Sequence, residues 1–175
     1  MKKLRFIAVI ALLCVLSLSM CGCFLFSSER NTFKYLTGKG EFIQHSEAKG
    51  NYVVTLTVNS DKSYVLDVSY GQSNPAKTHA EGKMTYVGCY EYDFTTESWG
   101  ITVNNTEYYN VIRLENAQLT MNDKTYNLYI VAHAFSKRAD DYGVKLVMRV
   151  PEGDDASNLE SIATRSTEMR LASRS

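Results

Sequence analysis

From Phe33 onward the apolar residues recur mostly at every second position, a period that suits a pleated strand and not a helix. Tyr52, Val54, Leu56 and Val58 share one face of a strand, and Val53, Thr55 and Thr57 take the other. Asn59-Ser60-Asp61-Lys62 then supplies turn residues. Tyr64, Leu66, Val68 and Tyr70 make the apolar face of the next strand, with Asp67 and Ser69 opposite. Further along, Met84, Tyr86, Tyr90, Tyr92 and Phe94 fall on even positions and give one long, mostly aromatic face. Gly88 sits in its middle, where a bulge or bend fits.

The remaining strands follow the same pattern. Ile101 to Val103 reads as a short strand, Asn104-Asn105 as a turn, Tyr108 to Leu114 and Gln118 to Met121 as strand pieces. Asn122-Asp123-Lys124 is a tight turn. Tyr126 to Phe135 is apolar on both faces and therefore central. Val144, Leu146, Met148 and Val150 alternate once more before Pro151 and Gly153 end the pattern. About eight strands joined by hairpin-length loops form an all-β antiparallel meander over residues 33–152. Closure into a barrel of roughly eight strands removes its edges, and an open two-sheet sandwich is the alternative. Residues 153–175 read as a polar tail. Ser157-Asn158-Leu159-Glu160 matches a capping box, and Leu159, Ile162, Ala163 and Met169 make a weak helical stripe that docks on the barrel wall or frays.

The N-terminus has a different character. Lys2, Lys3 and Arg5 precede an apolar run of 13 residues, Phe6 to Leu18, interrupted only by Ser17. A spanning helix needs about 20 apolar residues, so residues 1–22 read as an export signal. The run ends in Leu16-Ser17-Leu18-Ser19-Met20-Cys21-Gly22-Cys23. This segment resembles the lipobox of bacterial lipoproteins, in which a small residue precedes the cysteine that receives lipid. The resemblance implies acylation, palmitate included, at Cys23 behind Gly22, with Cys21 behind Met20 the poorer fit. It also implies an extracytoplasmic protein held to a bacterial cell membrane. Residues 23–32 then form a tether, Ser27 to Thr32 being polar.

Charge and cysteines follow from this processing. The whole chain carries 19 basic and 19 acidic residues, which excludes a general nucleic-acid binder. Without residues 1–22 the balance is 16 basic to 19 acidic, and such a surface gains nothing from anionic headgroups. If Cys23 is acylated, Cys89 is the one free thiol, and the core must hold the domain together without a disulfide framework.

Val54 to Leu66 (VTLTVNSDKSYVL) followed by Glu81-Gly82-Lys83-Met84-Thr85-Tyr86 resembles the hairpin-plus-strand opening of lipocalin-like domains in bacterial lipoproteins. The Gly-x-Trp signature of true lipocalins is missing; Gly38-Lys39-Gly40-Glu41-Phe42 stands near its place. The resemblance implies a fold and an envelope location, and transfers no ligand or catalytic residue.

Catalytic chemistry is hard to find. His45, His79 and His133 share no metal-ligand spacing, and Asp140-Asp141 and Glu152-Gly153-Asp154-Asp155 lack the pattern of a calcium loop. No nucleophile elbow, phosphate loop or dinucleotide fingerprint occurs, so neither an enzyme nor a cofactor is expected. Cys89 lies beside Glu91, which disfavours its thiolate. Two function classes remain. In the first, the barrel takes a small apolar or amphipathic ligand, with Tyr64, Leu66, Tyr86, Tyr90, Tyr92 and Phe94 as its lining. In the second, the interior is filled and the chain is a structural lipoprotein or binds an envelope protein through loops or an edge strand.

Overall fold

Eight antiparallel strands follow one another around a closed barrel in simple chain order, and the last pairs with the first. The computed structural model describes residues 28–46, 52–70, 76–121, 123–137, 139–149, 158–164 and 167–174. A helix, α1 (28–39), comes first. The strands are β1 (Glu41–Ser46), β2 (Tyr52–Val58), β3 (Ser63–Tyr70), β4 (Ala76–Ser98), β5 (Ile101–Met121), β6 (Lys124–Ala134), β7 (Gly143–Arg149) and β8 (Thr167–Ser173). A short helix, α2 (Leu159–Thr164), precedes β8.

The alternation seen in the sequence fixes which side chains point inward. Val54, Leu56 and Val58 on β2 and Tyr64, Leu66 and Val68 on β3 join one core cluster, with Leu56 opposite Leu66. Lys62 donates its N–H to the Asn59 carbonyl at 3.0 Å, which closes the expected turn. β6 is buried on both faces from Leu128 to Ala132, as a central strand should be. Its inner face packs in the barrel, and its outer face, with Val111 and Val147, lies under Ile162 of α2.

The two ends of the chain differ from expectation. Residues 28–32, read as tether, belong to α1. Phe33 and Leu36 sit one turn apart and enter the barrel core, while Thr32 satisfies its own buried hydroxyl on the Ser28 carbonyl at 2.8 Å. Gly40, at a left-handed φ of 72°, donates to the Leu36 carbonyl at 3.0 Å and ends the helix. At the other terminus, the stripe read as one helix splits. Asn158 caps α2 by accepting the Ser161 N–H at 3.0 Å, and Ser157 lies outside the described residues. Met169 belongs to β8, which closes the barrel between β7 and β1, so residues 167–173, read as part of a tail, are a barrel strand.

β4 and β5 are much longer than the other strands. β4 pairs with β3 only up to Lys83, and β5 pairs with β6 only from Tyr108 onward. Between those limits, Tyr92 to Ser98 and Ile101 to Glu107 pair only with each other among the described residues. They form a two-stranded arm that leaves the barrel at the end covered by α1.

Candidate functional site

Side chains from the strands and from α1 fill the barrel interior, the expected ligand cavity. Phe42, Val54, Leu56, Leu66, Ile112, Leu128, Ile130 and Leu146 are buried with no accessible surface, so no water-sized void adjoins them. Tyr64 also points inward, and its phenol donates to the Glu115 carbonyl. Burial, with the charge of Glu115 second, pushes that phenol up to about 12, so it remains a donor. The donor reaches Glu115 where β5 is irregular and runs close over Gly82. A Cβ on Gly82 would lie 2.6 Å from the Glu115 carbonyl oxygen, a contact only glycine permits.

Helix α1 lies across the mouth. On one side Glu29 pairs with Lys62 at 3.2 Å, and the Lys62 ammonium sits 4.0 Å over the Phe33 ring. On the other, the Ser28 hydroxyl donates to Asn110 Oδ1 at 2.6 Å and the Tyr86 phenol donates to the same oxygen at 2.9 Å. Asn110 Nδ2 donates to the Ala132 carbonyl at 3.3 Å, so this buried amide joins helix, β4, β5 and β6. Tyr35 adds a ring contact with Tyr142 at 5.1 Å and a hydrogen bond to Asp141 at 2.9 Å.

Of the six positions expected to line a ligand cavity, three point in and three point out. Tyr64, Leu66 and Tyr86 face the interior. At Gly88 the pairing register shifts by one residue: Tyr86 faces Ile112, but Gly88 faces Val111. The expected bulge at Gly88 is present and divides the aromatic face in two. Beyond it, Tyr90 packs on Tyr109, whose neighbours are the outer-wall residues of β5 and β6, and Tyr92 and Phe94 continue up the arm on that outer side. Cys23, the expected lipid site, lies outside the described residues.

The outer surface of the arm is the unusual feature. Register places Tyr92 with Glu107, Phe94 with Asn105, Thr96 with Val103 and Ser98 with Ile101 on one face. Above Glu107 that face has no charge. The opposite face carries Asp93 with Thr106, Thr95 with Asn104, and Glu97 with Thr102. Tyr92 and Phe94 stack at 5.9 Å. Tyr92 is 45 % exposed, Val103 45 % and Ile101 64 %, and Trp99 at the tip is 99 % exposed. Trp99 and Gly100 form the turn with φ of 54° and 74°, both left-handed. A bulky residue in that region is uncommon and costs backbone energy.

At its base the apolar strip continues onto the barrel wall. Tyr109 lies 4.7 Å from the His133 ring, which meets Phe135 edge-on at 5.0 Å. The Tyr109 phenol donates to Glu107, and His133 Nε2 lies 3.4 Å from the same carboxylate. Burial lowers the His133 pKa against the pull of Glu107, which favours the neutral imidazole. A shallow groove of about 520 Å³ runs beside it, lined by Asn104, Asn105, Thr106, Tyr108, Phe135, Ser136 and Lys137.

No protein-family model, curated protein or solved structure matches this chain. Among the described residues no three His, Cys, Asp or Glu side chains gather as metal ligands. His79 pairs with Asp67 at 2.8 Å on the barrel exterior at β3 and β4, whereas His133 lies on β6. Burial first, and Glu91 after it, push the Cys89 thiol up, which leaves it a poor nucleophile.

Trp99, Ile101, Val103 and Asn110 were not singled out from the sequence. The signal for the first three was Trp99-Gly100 between two alternating runs, a two-residue hairpin turn with an unusual first residue. Asn110 gave no sequence signal, because one polar residue in a strand reads equally well as solvent-facing.

Proposed function

We propose that this chain is a lipid-anchored, extracytoplasmic module without catalytic activity, which works by contact through its outer surface. The packed interior carries this reading. A carrier of small ligands encloses a cavity of roughly 300 Å³ or more, whereas the inward positions here are occupied by one another and by Phe33 and Leu36 of α1. The barrel is then a scaffold, and the binding element is the β4–β5 arm. Anchoring rests on Gly22-Cys23 after the apolar run, as the lipobox resemblance implies.

The test has two parts. Cys23→Ser should release the folded domain from the membrane fraction and abolish acyl labelling. Labelling that persists in Cys23→Ser but is lost in Cys21→Ser moves the anchor to Cys21. The folded domain should take up no fluorescent apolar probe. Saturable one-to-one uptake would return the small-ligand reading to first place.

A further inference from the structure

We infer that the uncharged face of the arm, with Trp99 at its tip, is a second membrane contact that rests on a zwitterionic lipid interface. This deepens the reading above and rests on its anchor at Cys23.

Three observations carry it. First, the arm is amphipathic in the sense a lipid surface requires. Tyr92, Phe94, Val103 and Ile101 share the uncharged face, while Asp93 and Glu97 point the other way, toward water. Trp and Tyr are the side chains that favour the headgroup boundary. Second, residues 91–108 contain four acids, Glu91, Asp93, Glu97 and Glu107, and no lysine or arginine. That composition suits neutral headgroups and disfavours anionic ones. Third, the chain enters at the foot of the arm. Ser28 is bonded to Asn110, which pairs with Cys89, ten positions below Trp99. Ten strand residues extend about 33 Å. The five peptide steps from Cys23 to Ser28 span at most about 18 Å. The tether is therefore shorter than the ribbon, and a bilayer that holds Cys23 lies within reach of the tip.

Trp99 is the single tryptophan, so its fluorescence reports the tip alone. Residues 23–175 carrying Cys89→Ala would be coupled through the Cys23 thiol to a maleimide-headgroup lipid in phosphatidylcholine vesicles. Tethering then does not depend on cellular processing. The expected result is a blue shift of Trp99 emission on coupling, quenching by lipids brominated high on the acyl chain, and protection from aqueous iodide. Ile101→Ser/Val103→Ser, two exposed changes that leave the barrel intact, should remove most of the shift and the quenching. Emission unchanged by coupling, with iodide access equal to that of the uncoupled chain, would overturn the inference. So would a shift in the uncoupled chain that grows with protein concentration without lipid, which assigns the face to a second copy. Deeper burial on phosphatidylglycerol than on phosphatidylcholine would overturn the preference for neutral headgroups. Acyl labelling that survives Cys23→Ser in cells refutes the anchor alone and leaves the vesicle result standing.

Discussion

The β2–β3 hairpin and the β4–β5 arm are built from the same material and end in opposite situations. Both alternate apolar and polar residues, and both turn tightly. In β2–β3 the apolar face is covered by the opposite wall and by α1, so Leu56 and Leu66 are fully buried. In the arm no third strand, helix or opposing wall covers the face among the described residues, and its apolar side chains stand in water. An isolated two-stranded ribbon is marginal by itself. Alternation thus specifies that a strand forms and which residues share a face. Whether that face is covered depends on where the neighbouring strands stop, here β3 at Ser63 opposite Lys83 and β6 at Ala134 opposite Tyr108.

The sharpest way to break this contrast is to charge the covered face. Leu66→Asp places an unpaired carboxylate in the packed interior, at a cost of several kcal/mol, roughly the whole stability of a small domain. Denaturant titration should show an unfolded or nearly unfolded chain. Thr57→Asp, on the outer face of β2, should cost less than about 1 kcal/mol. Similar losses for the two would refute the inward assignment.

Next is the seam that closes the mouth. Asn110→Ala leaves the hydroxyls of Ser28 and Tyr86 without their shared acceptor, and a cost of about 2–3 kcal/mol is expected. Amide exchange should quicken in α1 before it does in β2 and β3. Uniform quickening would mean that α1 is not separately held.

Changes in the arm should be milder. Tyr92→Ala is expected to cost about 1 kcal/mol or less, since that ring is nearly half exposed, against about 2–5 kcal/mol for Leu128→Ala. Equal losses in thermal unfolding would show that the ring is covered. Trp99→Asn should raise stability by several tenths of a kcal/mol, because asparagine tolerates the left-handed turn better than tryptophan. The same change should weaken whatever contact the arm makes, which separates stability from function at one residue.

The smallest effect is with pH. Burial lowers the pKa of His133 below its ordinary value of 6.5. The unfolded chain then binds the proton more readily than the folded one. The His133 contribution is fully present above pH 6.5 and declines as pH falls below it toward the lowered folded value. His133→Gln should flatten the stability profile in that window. An unchanged slope would place the titration elsewhere.

The sequence was most legible where turn chemistry and alternation agreed. β2, β3, their turn, β6 and β7 read correctly for that reason. It misled where a signal had two uses. Asn104-Asn105 looked like a turn, yet Asn105 pairs with Phe94 inside β5, and its amide donates to Thr96 at 2.9 Å. The true turn carries a tryptophan, which no turn rule favours. Ile101 to Met121 therefore split into three apparent strands, while β1 was not marked out and β8 was absorbed into a helix. The expected total of about eight was correct because these errors offset each other. In β8 the alternation of Met169 and Leu171 was visible, but a nearby capping pattern outweighed it. Of the six residues expected on one inward face, Tyr64, Leu66 and Tyr86 point inward, and the register shift at Gly88 turns Tyr90, Tyr92 and Phe94 outward.

The most direct measurement removes the arm. Replacing residues 92–107 by Asn-Gly, a turn suited to a two-residue hairpin, joins Glu91 to Tyr108 across the existing register. If the barrel is a filled scaffold and the arm a contact element, equilibrium unfolding of the shortened chain should match the full chain to within about 1 kcal/mol. A loss of several kcal/mol, or a shortened chain that no longer unfolds cooperatively, would contradict that division.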